Sequence, residues 1–299
     1  MKRIQHIDNA KAIGMFLIIF SHIGIDPILL EDSPIIPKIY LILGSFYVPL
    51  FFIISGIFET NDIKKNSKRI LLLTKSCIIF YIFSQLFYFI LLNKIQYQRF
   101  IPTTWFLFTL LFINLIILFC RRISRTKTIF FLLIILITLI GLLLSYINKN
   151  FFYIGQSFVC LPFFMLGSYF KDELLKQDFC FKRLIIYFLI WFITWSIFYS
   201  KQNLSLNQIS QNYIAFYIEA IFGSFFIIEI SKLIKSDIIS YYGRNTMIPL
   251  LVQMPIISAI QKFIDINNYT IIIVTYIFVL ILSGLCIPIF SNKYYNIFK

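Results

Sequence analysis

Three ionisable residues, Asp8, Lys11 and His22, lie in the first hydrophobic segment of the chain, where a lipid-spanning helix would normally carry none. On a helix that turns by about 100° per residue, the eleven steps from Lys11 to His22 return to within about 20° of the starting direction. Asp8 precedes Lys11 by three residues, so the two side chains can pair and offset each other's charge. The segment predicts a helix with an acid, a base and a titratable imidazole, as a reaction site would need.

Composition indicates the class of protein that holds this segment. The chain has 299 residues, of which 60% are hydrophobic and 13% charged, and its mean hydropathy is +0.86. These values exclude a soluble domain and indicate a polytopic membrane protein. The net charge of +14 does not indicate nucleic-acid binding, because the basic residues are spread through short loops between apolar runs rather than gathered into one patch.

Apolar runs of about 20 residues predict an all-α bundle of about ten transmembrane helices. They lie near 10–30, 39–58, 70–92, 103–120, 128–147, 151–170, 184–200, 212–231, 245–262 and 270–290. Alternate loops, counted from the N-terminus, hold nineteen Lys and Arg residues against six on the other side. The positive-inside rule then places both termini in the cytoplasm. We expect one integral domain over residues 1–299, crossing the inner (plasma) membrane many times.

Cysteine and histidine usage argues against a metal centre. Five cysteines are scattered without paired spacing, and the chain has only two histidines, His6 and His22. Neither a disulfide framework nor a zinc site is predicted, and we expect no permanently bound cofactor.

The second hydrophobic segment reads FYVPLFFIISGIF. Pro49 is predicted to open its hydrogen-bond ladder, and Ser55 and Gly56 to let another backbone approach closely. Together with the first segment, this pattern resembles the opening of the acyltransferase family 3 membrane proteins, which are O-acetylases of sugars and polysaccharides. Further matches follow in order along the chain: Lys68-Arg69, Trp105-Phe106-Leu107, Arg122-Ile-Ser-Arg125, LPFFMLGSYF at 161–170 and YYGRNTMIPLLVQ at 241–253.

The chain departs from the family pattern at two positions. Lys11 stands where many members carry Arg, which keeps the charge but loses the bidentate fork. Gln253 stands where many members have His. His22 is therefore left as the one imidazole expected within the membrane.

The resemblance implies transfer of an acetyl group from acetyl-CoA to a sugar hydroxyl, with His22 as the general base. Lys11 would guide the donor or orient the site through Asp8, with simple snorkelling to the membrane surface as the alternative role. Eleven residues place His22 roughly 16 Å deeper than Lys11, which is similar to the reach of a pantetheine arm. Residues expected to contact the donor's nucleotide and phosphates are Arg122, Arg125, Lys68 and Arg69.

The acceptor is expected to be a cell-envelope polysaccharide, such as an exopolysaccharide, or a lipid-linked precursor. Glu219 is a candidate for lining its cavity, with pairing to an interior amide as the alternative. Trp105 and Ser55 are supporting substrate-site candidates, although packing is the commoner role for such residues.

Two other functions fit the composition. A transporter or flippase for a polar solute or sugar-lipid would use intramembrane charges as a relay. A scaffold subunit of a polysaccharide synthase would leave His22 without a chemical role. The Lys11 to His22 spacing and the Phe-Phe-x-x-Ser-Gly sequence favour acyl transfer, because transport requires neither.

Overall fold

The computed structural model describes residues 4–23, 36–60, 62–92, 104–147, 152–198, 202–210, 212–264 and 269–298. Most of these residues are helical and none lies in a β-strand, which confirms the predicted all-α class. The only strand-like feature in the described ranges is an isolated bridge between Asn203 and Gln208. The α-helices are α1 Gln5–Ile23, α2 Ile36–Gly44, α3 Tyr47–Ile57, α4 Ile63–Leu92, α5 Thr104–Ile123, α6 Lys127–Tyr146, α7 Ile154–Tyr169, α8 Lys171–Leu174, α9 Phe181–Phe198, α10 Tyr213–Ser231, α11 Asp237–Arg244, α12 Met247–Gln261 and α13 Tyr269–Phe298, with a 3-10 helix at Leu204–Leu206.

Among the described residues, seven helical segments are long and apolar enough to cross a membrane. They are Lys38–Ile57, Lys64–Phe87, Thr104–Ile123, Lys127–Tyr146, Phe181–Phe198, Tyr213–Ser231 and Thr270–Ser291. Helices α7 and α12 are apolar but shorter. Helix α1 is continuous, but Asp8, Asn9 and Lys11 make its first turns polar. The count of ten spans and the cytoplasmic termini stay predictions.

The second predicted segment is two helices rather than one. Helix α2 ends at Gly44 and α3 begins at Tyr47. The break lies at Ser45 and Phe46, as expected if Pro49 opens the ladder, because the missing Pro49 N–H leaves the carbonyl four residues earlier, at Ser45, without its helical donor. The Ser45 hydroxyl donates to the Ile42 carbonyl and accepts from Trp191 Nε1 at 3.0 Å.

The chain divides into two compact units. Unit 1 comprises Met1–Phe51, Leu175–Lys201 and Ile214–Tyr295. Within it, α1 packs against α2, α11 and α12, and Ile7, Ala10 and Ile19 are almost fully buried. Helix α1 is therefore an interior helix of this unit.

Unit 2 comprises Phe52–Leu174, Gln202–Tyr213 and Asn296–Lys299. Here α5 packs against α4, α6 and α7. A Cβ on Gly56 would collide with the Phe164 carbonyl, and one on Gly167 would collide with the Ile53 carbonyl. This reciprocal contact confirms the close backbone approach predicted at Gly56, and it fixes the end of α3 against α7.

Candidate active site

The two predicted partners in α1 form an ion pair. Lys11 Nζ lies 3.4 Å from Asp8 Oδ1. A third group, which the sequence interpretation missed, approaches the same carboxylate: Arg244 Nε lies 3.8 Å from Asp8 Oδ2. Its side chain is oriented by Ser240, whose hydroxyl accepts from Arg244 Nη2 at 2.8 Å. Asp8 thus faces two cations, both at long range.

Backbone contacts hold the first turns of α1 in place. Gly243 packs directly on the Asp8 carbonyl, where a Cβ would collide. Asn9 Nδ2 donates to the Ile234 carbonyl at 2.8 Å, and the Ser231 hydroxyl donates to the His6 carbonyl at 2.8 Å. In the Tyr-Tyr-Gly-Arg-Asn sequence at 241–245, the glycine leaves room for the backbone of α1, and the arginine side chain reaches Asp8.

Helix α11 also contributes a buried phenol. Tyr242 packs edge-on against Phe16 at 4.9 Å between ring centroids. Burial raises the pKa of Tyr242 to about 12, so the phenol stays protonated at neutral pH. Its oxygen lies 2.8 Å from Ser283 Oγ, and Ser283 itself donates to the Leu280 carbonyl.

His22 lies in the last turn of α1. Its Nδ1 is buried and has no hydrogen-bond partner in the part of the chain that the structure describes. The neighbouring Ser21 bonds with Tyr47, and Phe20 stacks on Tyr40 with centroids 5.1 Å apart. This nitrogen therefore has an unused hydrogen-bonding position among the described residues.

Two further buried polar residues belong to unit 1. Gln253 is fully buried in α12, and neither amide atom has a partner among the described residues. Glu219 is fully buried in α10. Its position is compatible with either role considered for it.

The predicted donor-binding cations all belong to unit 2. Arg69 is half-buried, donates from Nη2 to the Ser55 carbonyl at 2.9 Å, and lies 5.2 Å from the Phe164 ring centroid. Its Nη1 is buried and has no partner among the described residues. Lys68 beside it is exposed. Arg69 therefore has one nitrogen to offer to a ligand.

Arg122 and Arg125 are exposed at the end of α5 and beyond it, while their neighbour Arg121 is engaged. Arg121 Nη2 lies 2.7 Å from Glu59 Oε1, and the Ser168 hydroxyl donates to Glu59 Oε2 at 3.0 Å. From the sequence, Arg121 is counted among the predicted cytoplasmic loop cations, but neither Arg121 nor Glu59 is assigned a role in a site. The sequence feature that could have indicated this ion pair is Glu59 itself, an acid directly after an apolar helix in a chain with few acids.

Trp105 and Ser55 occupy packed positions in unit 2. Trp105 is buried near the start of α5 and meets Phe106 edge-on, while Phe106 packs on Phe52 at 4.8 Å. Ser55 presents its carbonyl to Arg69. Within the described ranges, no group of three metal-ligating side chains lies together.

The chain matches a known protein family. Searches of curated proteins and of solved structures gave no significant match. A family model described as an acyltransferase domain matches residues 4–291, nearly the whole chain. The match includes both units and every predicted site residue. This helical protein, with segments long and apolar enough to span a membrane, therefore belongs to acyltransferase family 3.

Proposed function

We propose that this membrane acyltransferase moves an acetyl group from acetyl-CoA to a sugar hydroxyl of a cell-envelope polysaccharide or its lipid-linked precursor. The observation that supports this is His22, whose buried Nδ1 has no partner among the described residues of an acyltransferase. An imidazole placed in this way can act as a general base near neutral pH.

In the proposed reaction, His22 takes the proton from the acceptor hydroxyl as its oxygen attacks the thioester carbonyl carbon. The tetrahedral intermediate collapses with cleavage of the carbon–sulfur bond. The imidazolium then gives its proton to the departing thiolate. The products are the sugar acetate and free coenzyme A, and the imidazole returns to its neutral form.

Lys11 and Arg244 are proposed to orient the site through Asp8. Both cations lie more than 3 Å from the carboxylate, at 3.4 and 3.8 Å. Long contacts of this kind can shorten or exchange when a charged donor binds, because neither cation is bound tightly by Asp8. The donor phosphates are proposed to contact Arg69, Lys68, Arg122 and Arg125. The exposed arginines and the unpartnered Arg69 Nη1 support that assignment.

Mass spectrometry of envelope glycans tests this function directly. Cells that express the protein should carry glycans heavier by one acetyl group per modified residue than cells that lack it. A strain expressing His22→Ala should match the strain without the protein. Identical glycan masses in all three strains would contradict the proposed reaction.

Cysteine labelling tests the proposed orientation in the inner membrane, in a background from which the native cysteines have been removed. Single cysteines at Lys65 and Arg125 should be shielded from an impermeant reagent added outside. Cysteines at Lys149 and Asn203 should react. The reverse pattern would place the termini on the other side of the membrane.

A further inference from the structure

Strained backbone is concentrated at one end of unit 2. Among the described residues, positive φ outside glycine occurs at Phe152 (43°), Tyr153 (63°) and Asn207 (57°). The first two directly precede α7, and Asn207 follows the 3-10 helix at Leu204–Leu206. Such conformations persist only where the surrounding structure enforces them, and they cluster at sites that bind ligands.

Short contacts bring these two segments together. The Ser145 hydroxyl donates to the Asn207 carbonyl at 2.7 Å, and Gln156 Nε2 donates to the Ser205 carbonyl at 3.0 Å. A Cβ on Gly155 would lie 2.6 Å from Asn207 Nδ2. The absence of a side chain at Gly155 therefore lets the Asn207 amide lie over the first turn of α7.

Polar atoms without partners gather at the same place. Both amide atoms of Asn207, Oε1 of Gln156 and Oγ1 of Thr109 are buried and have no hydrogen-bond partner among the described residues. Thr109 is adjacent because its carbonyl accepts from Ser157, the residue after Gln156, at 3.4 Å. The three side chains belong to residues that are 2%, 0% and 0% exposed, respectively. Proteins pair nearly all such groups, so the unpaired amide atoms of Asn207 and Gln156, with Thr109 on the helix that packs beside them, point to a polar ligand.

The beginning of α7 offers further donors. Tyr153 is its N-cap residue and makes no side-chain capping hydrogen bond. The first N–H groups of a helix have no partner within the helix. Gly155, in this first turn, lies against the Asn207 amide.

Aromatic rings flank the polar atoms. Phe152 packs edge-on against Phe108 at 5.4 Å and Phe112 at 6.1 Å, and Tyr153 stacks on Phe108 at 6.1 Å. Phe152 is exposed. Amides and a hydroxyl beside flat apolar surfaces suit a neutral ligand that both donates and accepts hydrogen bonds and has apolar C–H faces. A sugar ring has all of these features.

We propose that Thr109, Gln156 and Asn207, flanked by Phe152 and Tyr153, form a carbohydrate-binding site for the acceptor; we call it the Asn207 cluster. This inference rests on the proposed function for the class of ligand, a sugar of the envelope glycans, and it concerns a binding site within unit 2. The predicted topology places the loops at 148–150 and 201–211 on the non-cytoplasmic side, where envelope glycans are found.

Two variants remove unpaired atoms while keeping the backbone. Asn207→Gly deletes the amide and tolerates the positive φ, and Thr109→Val replaces the hydroxyl with a methyl group of the same shape. Matched controls are Ser205→Ala, in the same loop, and Thr138→Val, a buried threonine of unit 2 whose hydroxyl donates to the Ile134 carbonyl. Each full-length protein is placed in nanodiscs.

Saturation-transfer NMR with the methyl glycosides of glucose, galactose and rhamnose measures binding without requiring acyl transfer. The parent should transfer saturation to at least one glycoside. Asn207→Gly and Thr109→Val should reduce that signal at least fivefold, and both controls should retain it. No transfer to any of the three glycosides by the parent, or full transfer by both cluster variants, would overturn the proposal.

Thermal unfolding of the same proteins separates binding from a structural role. Removing an unpaired buried hydroxyl should leave the unfolding temperature of Thr109→Val unchanged or raised, because no hydrogen bond is lost. A lowered unfolding temperature with unchanged glycoside binding would show that the cluster only stabilises the fold. Glycoside binding without any acetylation of envelope glycans would refute the proposed function but leave the site intact.

Discussion

Two buried carboxylates, one in each unit, are paired in different ways. Glu59 in unit 2 has a short contact of 2.7 Å with Arg121 and accepts from Ser168. Asp8 in unit 1 has two longer contacts, 3.4 Å to Lys11 and 3.8 Å to Arg244. The Glu59 pair ties the chain after α3 to α5 and α7, as a structural ion pair does. The Asp8 contacts are longer and are shared between two cations, so each holds the carboxylate less tightly than Arg121 holds Glu59.

The largest effect expected from this contrast is at His22, in the same helix as Asp8. His22→Ala should reduce acetyl transfer by roughly 10²-fold or more, because a positioned proton acceptor is lost. Its unfolding temperature and membrane insertion should match the parent. The matched control is His6→Gln in the same helix, which should keep most of the activity. Activity of His22→Ala within a few-fold of the parent would exclude His22 as the base.

Glu59 should show the opposite behaviour, with a loss of stability. Glu59→Gln leaves Arg121 without its anion in a partly buried position, which should lower the free energy of unfolding by about 2 kcal/mol. The control is Asp62→Asn, which breaks an exposed pair with Lys65 at 3.7 Å and should cost at most about 1 kcal/mol. Chemical denaturation in detergent measures both. Equal losses would mean that the Glu59 pair is no more structural than a surface pair.

The Asp8 contacts can be tested by comparing two replacements of Lys11. Lys11→Arg keeps the charge beside Asp8, whereas Lys11→Ala leaves the carboxylate with Arg244 as its remaining cation. We expect Lys11→Ala to lower kcat about tenfold more than Lys11→Arg does, with similar expression of both. Steady-state kinetics in nanodiscs provides the measurement. Equal activity of the two variants would mean that Lys11 only extends its charge to the membrane surface and does not orient the site.

The smallest effect is expected at the exposed arginines of unit 2. Replacing both Arg122 and Arg125 with Ala should raise the apparent KM for acetyl-CoA several-fold and leave acceptor saturation nearly unchanged. Added salt should produce a weaker version of the same change, since exposed phosphate contacts are screened over about 8 Å at physiological ionic strength. The control removes two other exposed cations, Lys182 and Lys235. An unchanged KM for acetyl-CoA would mean that Arg122 and Arg125 only help to set the orientation of the chain in the membrane.

Local interactions could be predicted from the sequence. Asp8 and Lys11 are three residues apart on one helix, so the helical repeat alone brings them together. The glycine at 56 predicted a close helix contact, which α7 makes. Pro49 predicted an opened hydrogen-bond ladder, and the helix breaks at Ser45, four residues before it. The hydrogen bond from Trp191 to the Ser45 hydroxyl at this break joins residues far apart in the chain and could not be predicted.

By itself, the sequence determined the helical membrane class, the family and the candidate base, because each depends on composition or on spacing along one helix. Only the tertiary structure decided the partners of charges that lie far apart in the chain. Arg121 rather than Arg122 or Arg125 meets Glu59, and Arg244 reaches Asp8. It also placed the amide of Asn207 beside Gly155, without a partner in the part of the chain that the structure describes. Contacts between residues far apart in the chain depend on how whole helices pack, and no local periodicity encodes that packing.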